Sequence, residues 1–175
     1  KDAPVYKEAN TFIDGKYSPY TENALYDITI GTDEPDEEGQ PSKIGGFQIA
    51  LSMYAPLSDE AQNAVLPEGY YRVGGGTSSY TISATNSAMW IRLAEGSDGT
   101  TVSMVVGGTV DVKHDGQIYD MRAELDLFDG THVDASYYGP MTFKVGASGA
   151  TDFEEDQKVS FTEGQGRVWA NWFNP

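Results

Sequence analysis

The chain has 175 residues, and its 11 lysines and arginines against 27 aspartates and glutamates give a formal net charge of −16. A field of that sign repels phosphate backbones and anionic lipid headgroups, so we expect no nucleic-acid partner and little binding to membrane surfaces. Cysteine is absent, which excludes disulfides and thiolate metal sites, but a chain of this length can bury a core without them. No apolar run approaches the roughly 20 residues that span a bilayer.

Period-two alternation predicts short strands through the first half of the chain. The predicted strands are one edge strand through Val5, Tyr6, Phe12 and Ile13, then Ala24–Gly31, Gly46–Tyr54, Gly69–Val73, Tyr80–Ser83 and Ala88–Leu93. Residues 32–43 contain two prolines and five acids, a composition that predicts an open, mobile loop. A short connecting helix is predicted over Asp59–Val65, because Ser58 or Asp59 can cap it and Pro67 stops it.

The clearest pattern lies between Gly108 and Val145, where three antiparallel strands and both of their turns can be read directly. The turns are His114–Gln117 and Asp129–Gly130, and each contains an Asp-Gly pair, which readily takes positive φ. The middle strand alternates, so one face is predicted to be buried and the other wet. Its predicted core residues are Tyr119, Met121, Ala123, Leu125 and Leu127, and its predicted outward residues are Asp120, Arg122, Glu124 and Asp126.

Further strands are predicted at Thr100–Val106, Lys158–Thr162 and Arg167–Trp172. About ten short strands, separated by Gly, Asp and Pro turns and by no linker, predict a single all-β domain over residues 1–175. The architecture favoured by this pattern is an antiparallel two-sheet sandwich, and the alternative is a closed lipocalin-like β-barrel.

Residues able to carry out catalysis are present, but they form no catalytic motif. His114 and His132 each lie beside an Asp-Gly turn, and the two turns are predicted to fall at opposite ends of the three-stranded unit. A shared metal or a catalytic histidine pair is therefore not expected. No Gly-x-Ser-x-Gly elbow is present to support a Ser-His-Asp triad. Outward acids such as Asp120 and Glu124 are predicted to form a solvated face rather than a glycosidase pair.

Two acidic runs suggest calcium, because hard cations bind clustered oxygen ligands. They lie at residues 33–38 and 152–156. Neither run has EF-hand spacing, so no metal site and no cofactor are predicted.

Aromatic residues offer the better functional signal, since tyrosine and tryptophan stack on sugar rings as well as pack in cores. Trp90 falls on the strand face opposite to Met89, Ile91 and Leu93, which are predicted to be core residues. Tyr137 and Tyr138 must split across two faces, so one of them is predicted to be exposed. The candidate ligand-binding residues are Trp90, Tyr138 and Trp172.

The order of segments from residue 46 to residue 145 resembles a β-rich domain of surface lipoproteins from gut-dwelling Gram-negative anaerobic bacteria. The resemblance rests on GFQIALSMYAP, on Leu66, Pro67, Gly69 and Tyr70 or Tyr71, on Gly107–Val110, and on Tyr137 or Tyr138 with Gly139 and Pro140. These are structural motifs, and no catalytic residues come with them. The resemblance implies a lipid-anchored or secreted protein at the outer membrane, cell surface or periplasm, and an anchoring cysteine would then lie upstream of Lys1.

Together these observations predict a non-catalytic surface module that binds a glycan or another protein. Two alternatives are a structural subunit of an adhesion or assembly system and a small glycoside-active hydrolase. A binding module predicts exposed aromatic side chains, a hydrolase predicts a concave pocket with two carboxylates, and an assembly subunit predicts a long unprotected edge strand.

Overall fold

The structure is a computed structural model, and it describes residues 5–96 and 98–146, without the side chain of Tyr6. The described residues form eleven strands and no α-helix. The strands are β1 (Val5–Ala9), β2 (Thr11–Pro19), β3 (Ala24–Gly31), β4 (Phe47–Ala55), β5 (Gly69–Gly74), β6 (Thr81–Ser83), β7 (Ala88–Arg92), β8 (Thr100–Asp115), β9 (Ile118–Leu127), β10 (His132–Pro140) and β11 (Lys144–Val145). The predicted all-β class is confirmed. The strands predicted at Lys158–Thr162 and Arg167–Trp172 lie outside the described residues.

Hydrogen bonds join all eleven strands into one network. Ten of them follow the order β1-β10-β9-β8-β5-β6-β4-β3-β2-β11, and β7 lies off this path, where it pairs with both β4 and β8. As a result, β4, β6, β5, β8 and β7 form a closed ring of pairings.

A second junction is made by β1 and β2, which are separated only by Asn10. β1 pairs with β10, whereas β2 pairs with β3, and the Asn10 amide donates to the Gly31 carbonyl at 2.9 Å. The predicted single edge strand is therefore two strands, of which only β1 lies at the end of the pairing path.

One hydrophobic cluster lies between the β3–β4 layer and the β9–β10 layer. Side chains from both layers line a cavity of about 10 Å³, among them Ile49, Leu51, Met121 and Ala135. A volume of that size holds roughly one water molecule. The predicted core residues of β9 are all buried, and Asp120, Arg122 and Glu124 are exposed, so the predicted alternation of this strand is confirmed.

Four buried tyrosines connect the core to the segment that joins β4 to β5. Their hydroxyls contact the backbone of that segment: Tyr17 accepts from the Ser58 amide (2.9 Å), Tyr119 accepts from the Leu66 amide (2.9 Å), Tyr71 donates to the Pro67 carbonyl (2.7 Å), and Tyr26 donates to the Pro56 carbonyl (3.3 Å). Burial raises the pKa of Tyr119 to about 12, so its hydroxyl stays neutral at physiological pH. These bonds satisfy polar groups that would otherwise be buried without partners.

The predicted connecting helix and the predicted burial of Leu93 are both wrong. The helix predicted over Asp59–Val65 is only a 3₁₀ turn at Ala61–Asn63 without a side-chain cap, which agrees with the weak stability of such short helices. Leu93 is 62 % exposed rather than buried, because β7 ends at Arg92 and the chain turns away.

Among the described residues, we find no helix with the length and apolar character needed to span a bilayer.

β8 is longer than predicted, since the strands expected before and after Gly107 are continuous. Its first part, Thr100–Met104, pairs with β7, and its later part, Thr109–Val112, pairs with β5. The register with β9 shifts between Val105 and Gly107, and Gly108 has φ +115°. A Cβ at Gly108 would collide with the carbonyl oxygen of Glu124.

We predict that Gly108→Ala destabilises the fold by about 3 kcal/mol or more, because an L side chain disfavours this φ and has no space there. Urea denaturation measures the change. Gly75→Ala is the control, since Gly75 has no positive φ and no atom near its added Cβ, and it should stay within about 0.5 kcal/mol of wild type. Equal stability of the two variants would contradict the proposed constraint.

We also predict that Tyr119→Phe costs about 1–3 kcal/mol, because the buried amide of Leu66 loses its acceptor. Thermal and urea denaturation measure the loss. Tyr138→Phe, at an exposed position, is the control and should be nearly neutral. A neutral Tyr119→Phe variant would show that the amide finds another partner.

Candidate functional site

The three candidate ligand-binding residues do not form one site. Trp90 lies in β7 opposite Val102 of β8, whereas Tyr138 lies in β10 in register with Asp120 and, through it, with Lys113 of β8. Val102 and Lys113 are eleven residues apart in β8, which is roughly 36 Å of strand at about 3.3 Å per residue. Trp172 lies outside the described residues. Trp90 and Tyr138 must therefore be considered separately.

Tyr138 lies on an open, polar sheet surface formed by the outward side chains of β5, β8, β9 and β10. Tyr138 is 68 % exposed, whereas its neighbour Tyr137 is buried, as predicted for the tyrosine pair. We call this surface the Tyr138 face and define it by Tyr70, Asp111, Lys113, Asp120, Arg122 and Tyr138.

Tyr70 is a member of this face that sequence reasoning did not single out. Tyr70 is 56 % exposed and pairs with Asp111, while its neighbour Tyr71 is fully buried. A signal was available, because a tyrosine pair in an alternating strand must place one ring on each face.

The polar groups between the two tyrosines are charged and accessible. Asp120 lies directly between Lys113 and Tyr138 in the register, and Asp111 lies between Tyr70 and Arg122. The Arg122 Nε contacts Asp134 Oδ1 at 3.3 Å, although its side chain is 64 % exposed. The face therefore offers carboxylate acceptors and cationic donors between two aromatic rings.

Trp90 lies in a different environment, beside the loop that links β3 to β4. It is half-buried and opposes Gln48, whose Nε2 is buried without a partner among the described residues. Arg92, two residues further along, binds Asp36 Oδ2 at 3.2 Å and the Pro41 carbonyl at 3.0 Å. The face of β7 that carries Trp90 is therefore partly covered by this loop.

The acidic loop, predicted to be open, is instead tied to β7 through Asp36. The other carboxylate oxygen of Asp36 accepts from the amides of Glu38 (3.0 Å) and Gln40 (2.9 Å). Within the described ranges, no group of three or more His, Cys, Asp or Glu residues is arranged to hold a metal ion. The second acidic run, residues 152–156, falls outside those ranges.

The two histidines lie at opposite ends of β9, as predicted from their turns. His114 opposes Tyr119 and His132 opposes Asp126. These two partners in β9 are seven positions apart along the strand. His132 Nδ1 lies 2.6 Å from Asp126 Oδ1, which makes it a paired strand residue rather than a solvated turn residue.

Asp27 is an unpredicted polar group on the opposite layer of the molecule. Its Oδ1 lies 2.5 Å from Ser52 Oγ, which also lies 3.3 Å from the carbonyl oxygen of Asn86. The Ser52 hydroxyl donates to Asp27 Oδ1. Burial raises the pKa of Asp27, against the smaller lowering effects of Ser52 and Lys16. The sequence signal was one acid inside the apolar strand ALYDITIG.

Comparison with known proteins gives no relative: no family model, no curated protein and no solved structure matches the chain. The resemblance to surface lipoprotein domains therefore stays an expectation from the sequence. What can be inferred about function comes from the geometry described above.

We predict that Asp27→Asn stabilises the protein at pH 7. Because the pKa of Asp27 is raised in the folded state, the folded protein holds this proton more tightly than the unfolded chain. That contribution to stability is complete below the unfolded pKa, at about pH 4, and is lost as the pH rises through the folded pKa. Asparagine has no proton to lose, and its side-chain carbonyl oxygen can still accept from Ser52.

Urea denaturation from pH 4 to pH 8 checks this prediction, with exposed Asp120→Asn as the control. The gain from Asp27→Asn should grow with pH over this range and should exceed any change caused by Asp120→Asn. A gain that is constant with pH, or a loss, would contradict a raised pKa of Asp27 in the folded protein.

Proposed function

We propose that the protein is a non-catalytic module that binds a glycan on the Tyr138 face. The observation that carries this proposal is the presence of two exposed tyrosines, Tyr70 and Tyr138, on one open sheet surface with charged groups between them. Tyrosine rings stack on the apolar faces of sugars, and their hydroxyls can remain hydrated. Asp111, Asp120 and Lys113 supply the acceptors and donors that sugar hydroxyls require.

The geometry favours binding over hydrolysis. A glycosidase needs two carboxyls at a defined separation, with the acid desolvated so that its pKa is raised. Asp120 and Glu124, the carboxylates considered for this role, are both exposed on the open sheet. Such a surface supports recognition of a chain that passes over it.

A protein ligand is the second candidate. Val102, Val106 and Phe128 are 56 %, 47 % and 80 % exposed, and the Phe128 amide donates to the Met104 carbonyl, so all three lie near the first part of β8. Exposed apolar side chains that cluster in this way are typical of protein contact surfaces.

The assembly alternative has weaker support. Pairing with a partner strand requires a long free edge. β1, at the end of the pairing path, is five residues long and carries Lys7 and Glu8, and β11, at the other end, has only two residues. Short, charged edge strands of this kind resist strand addition.

We further propose an extracytoplasmic location, with a lipid anchor upstream of Lys1, which is supported by the sequence resemblance alone.

For the finer architecture, we propose a flattened barrel rather than two separate sheets. The ring of β4, β6, β5, β8 and β7 supports this choice, as does the junction from β1 to β2. The two facing layers explain why the sequence pattern resembles that of a sandwich.

We predict that Tyr138→Ala weakens glycan binding at least tenfold, because stacking on an aromatic ring is lost. A polysaccharide array identifies a binding glycan, and isothermal titration calorimetry then measures the change in affinity. Tyr20→Ala is the matched control, since Tyr20 is 52 % exposed but lies in the turn after β2. Binding that survives Tyr138→Ala, or no binding to any glycan, would contradict the proposal.

A further inference from the structure

The distance between the two tyrosines of the Tyr138 face indicates the size of its ligand. Tyr70 and Tyr138 lie on β5 and β10, three strand spacings apart, and their rows differ by two residues, from Asp111 to Lys113. With about 4.8 Å between strands and about 3.4 Å per residue, the diagonal between their backbone positions is about 16 Å. A single sugar ring cannot contact both tyrosines.

The charges on this face indicate the chemical class of the ligand. The face as defined carries two carboxylates and two cations, but when the outward residues beside it are included, carboxylates outnumber cations. The carboxylates are Asp111, Asp120, Glu124, Asp126 and Asp134, and the cations are Arg72, Lys113 and Arg122. The whole chain also carries a formal net charge of −16.

The cations on the face have carboxylates as immediate neighbours. Arg122 contacts Asp134 at 3.3 Å, and Lys113 lies directly opposite Asp120. Arg122 and Lys113 thus each lie beside a carboxylate, and neither forms an isolated site for a ligand anion. Arg72 lies opposite Thr109, which in turn lies opposite Glu124. A ligand carboxylate or sulfate placed between Tyr70 and Tyr138 would lie as close to Asp111 and Asp120 as to Lys113 and Arg122, and the surrounding excess of carboxylates and the net charge of the chain would disfavour it.

We propose, building on the glycan-binding function, that the ligand is an internal stretch of a neutral, extended polysaccharide that crosses β5, β8, β9 and β10 diagonally. One sugar unit stacks on Tyr138 and another stacks on Tyr70. The units between them donate hydroxyl hydrogens to the carboxylate oxygens of Asp120 and Asp111. The open sheet leaves both ends of the ligand chain free to continue.

Two comparisons on the wild-type protein test this inference once a glycan that binds is found. The first compares that polysaccharide with its chemically sulfated derivative, which has the same backbone and differs in charge. We expect the sulfated form to bind at least tenfold more weakly at 20 mM salt, with a smaller difference at 500 mM salt, where charges are screened. The second measures competition by oligosaccharides of one to eight units, and we expect only those that reach both tyrosines to compete well.

A charge reversal adds a gain-of-function test. Asp120→Lys replaces a repelling group beside Tyr138 and should raise affinity for the sulfated derivative roughly tenfold at low salt. Asp59→Lys makes the same charge change in the segment between β4 and β5, away from the face, and should have little effect. Circular dichroism confirms that both variants are folded.

The outcomes separate this inference from the function on which it rests. Binding to no neutral or anionic glycan would overturn the glycan-binding function, and this inference with it. Binding that depends on Tyr138 but is tighter for the sulfated polysaccharide would overturn only the neutral class. Full competition by a monosaccharide would overturn only the extended binding mode.

Discussion

The bend in β8 at Gly107 and Gly108 is the constraint on which the arrangement of the sheet depends. Before the bend β8 pairs with β7, after it β8 pairs with β5, and β9 follows it on the other edge. The register shift after Val105 and the positive φ of Gly108 allow one strand to serve these different neighbours. A straight β8 could not close the ring through β7 and also place β5 beside the Tyr138 face. The presence of Tyr70 on that face therefore depends on a backbone feature many residues away in sequence.

The polar groups of the tyrosine core fix the segment between β4 and β5 that a helix was expected to fill. Tyr17, Tyr26, Tyr71 and Tyr119 direct their hydroxyls to its backbone, while their rings remain in the hydrophobic cluster. Because each ring has an apolar body and one polar end, a tyrosine can complete the core and satisfy an irregular segment at the same time. This explains why a segment with only a 3₁₀ turn can be held against the core.

Sequence reasoning succeeded where the pattern is local. The alternation of β9 and the splitting of Tyr137 and Tyr138 follow from the two-residue period of a strand, and both were predictable. The continuity of β8 was not, because a glycine pair reads equally well as a turn or as a bend inside a strand. The anchoring of the acidic loop was not predictable either, since it depends on Arg92, which is 56 residues from Asp36. Tyr70 and Asp27 carried readable local signals, but their partners come from other strands and only the register reveals them.

The same alternation that builds the core also places the proposed binding residues. Each tyrosine pair, Tyr70 with Tyr71 and Tyr137 with Tyr138, contributes one ring to the interior and one to the same outer face. A one-residue slip of either strand would bury the recognition ring and expose the core ring. The free energy gained by burying Tyr71 and Tyr137 thus holds Tyr70 and Tyr138 in place, with no loop to order on binding. A rigid platform of this kind loses little conformational entropy when a ligand binds, which suits the proposed contact with a long glycan through a few weak stacking interactions.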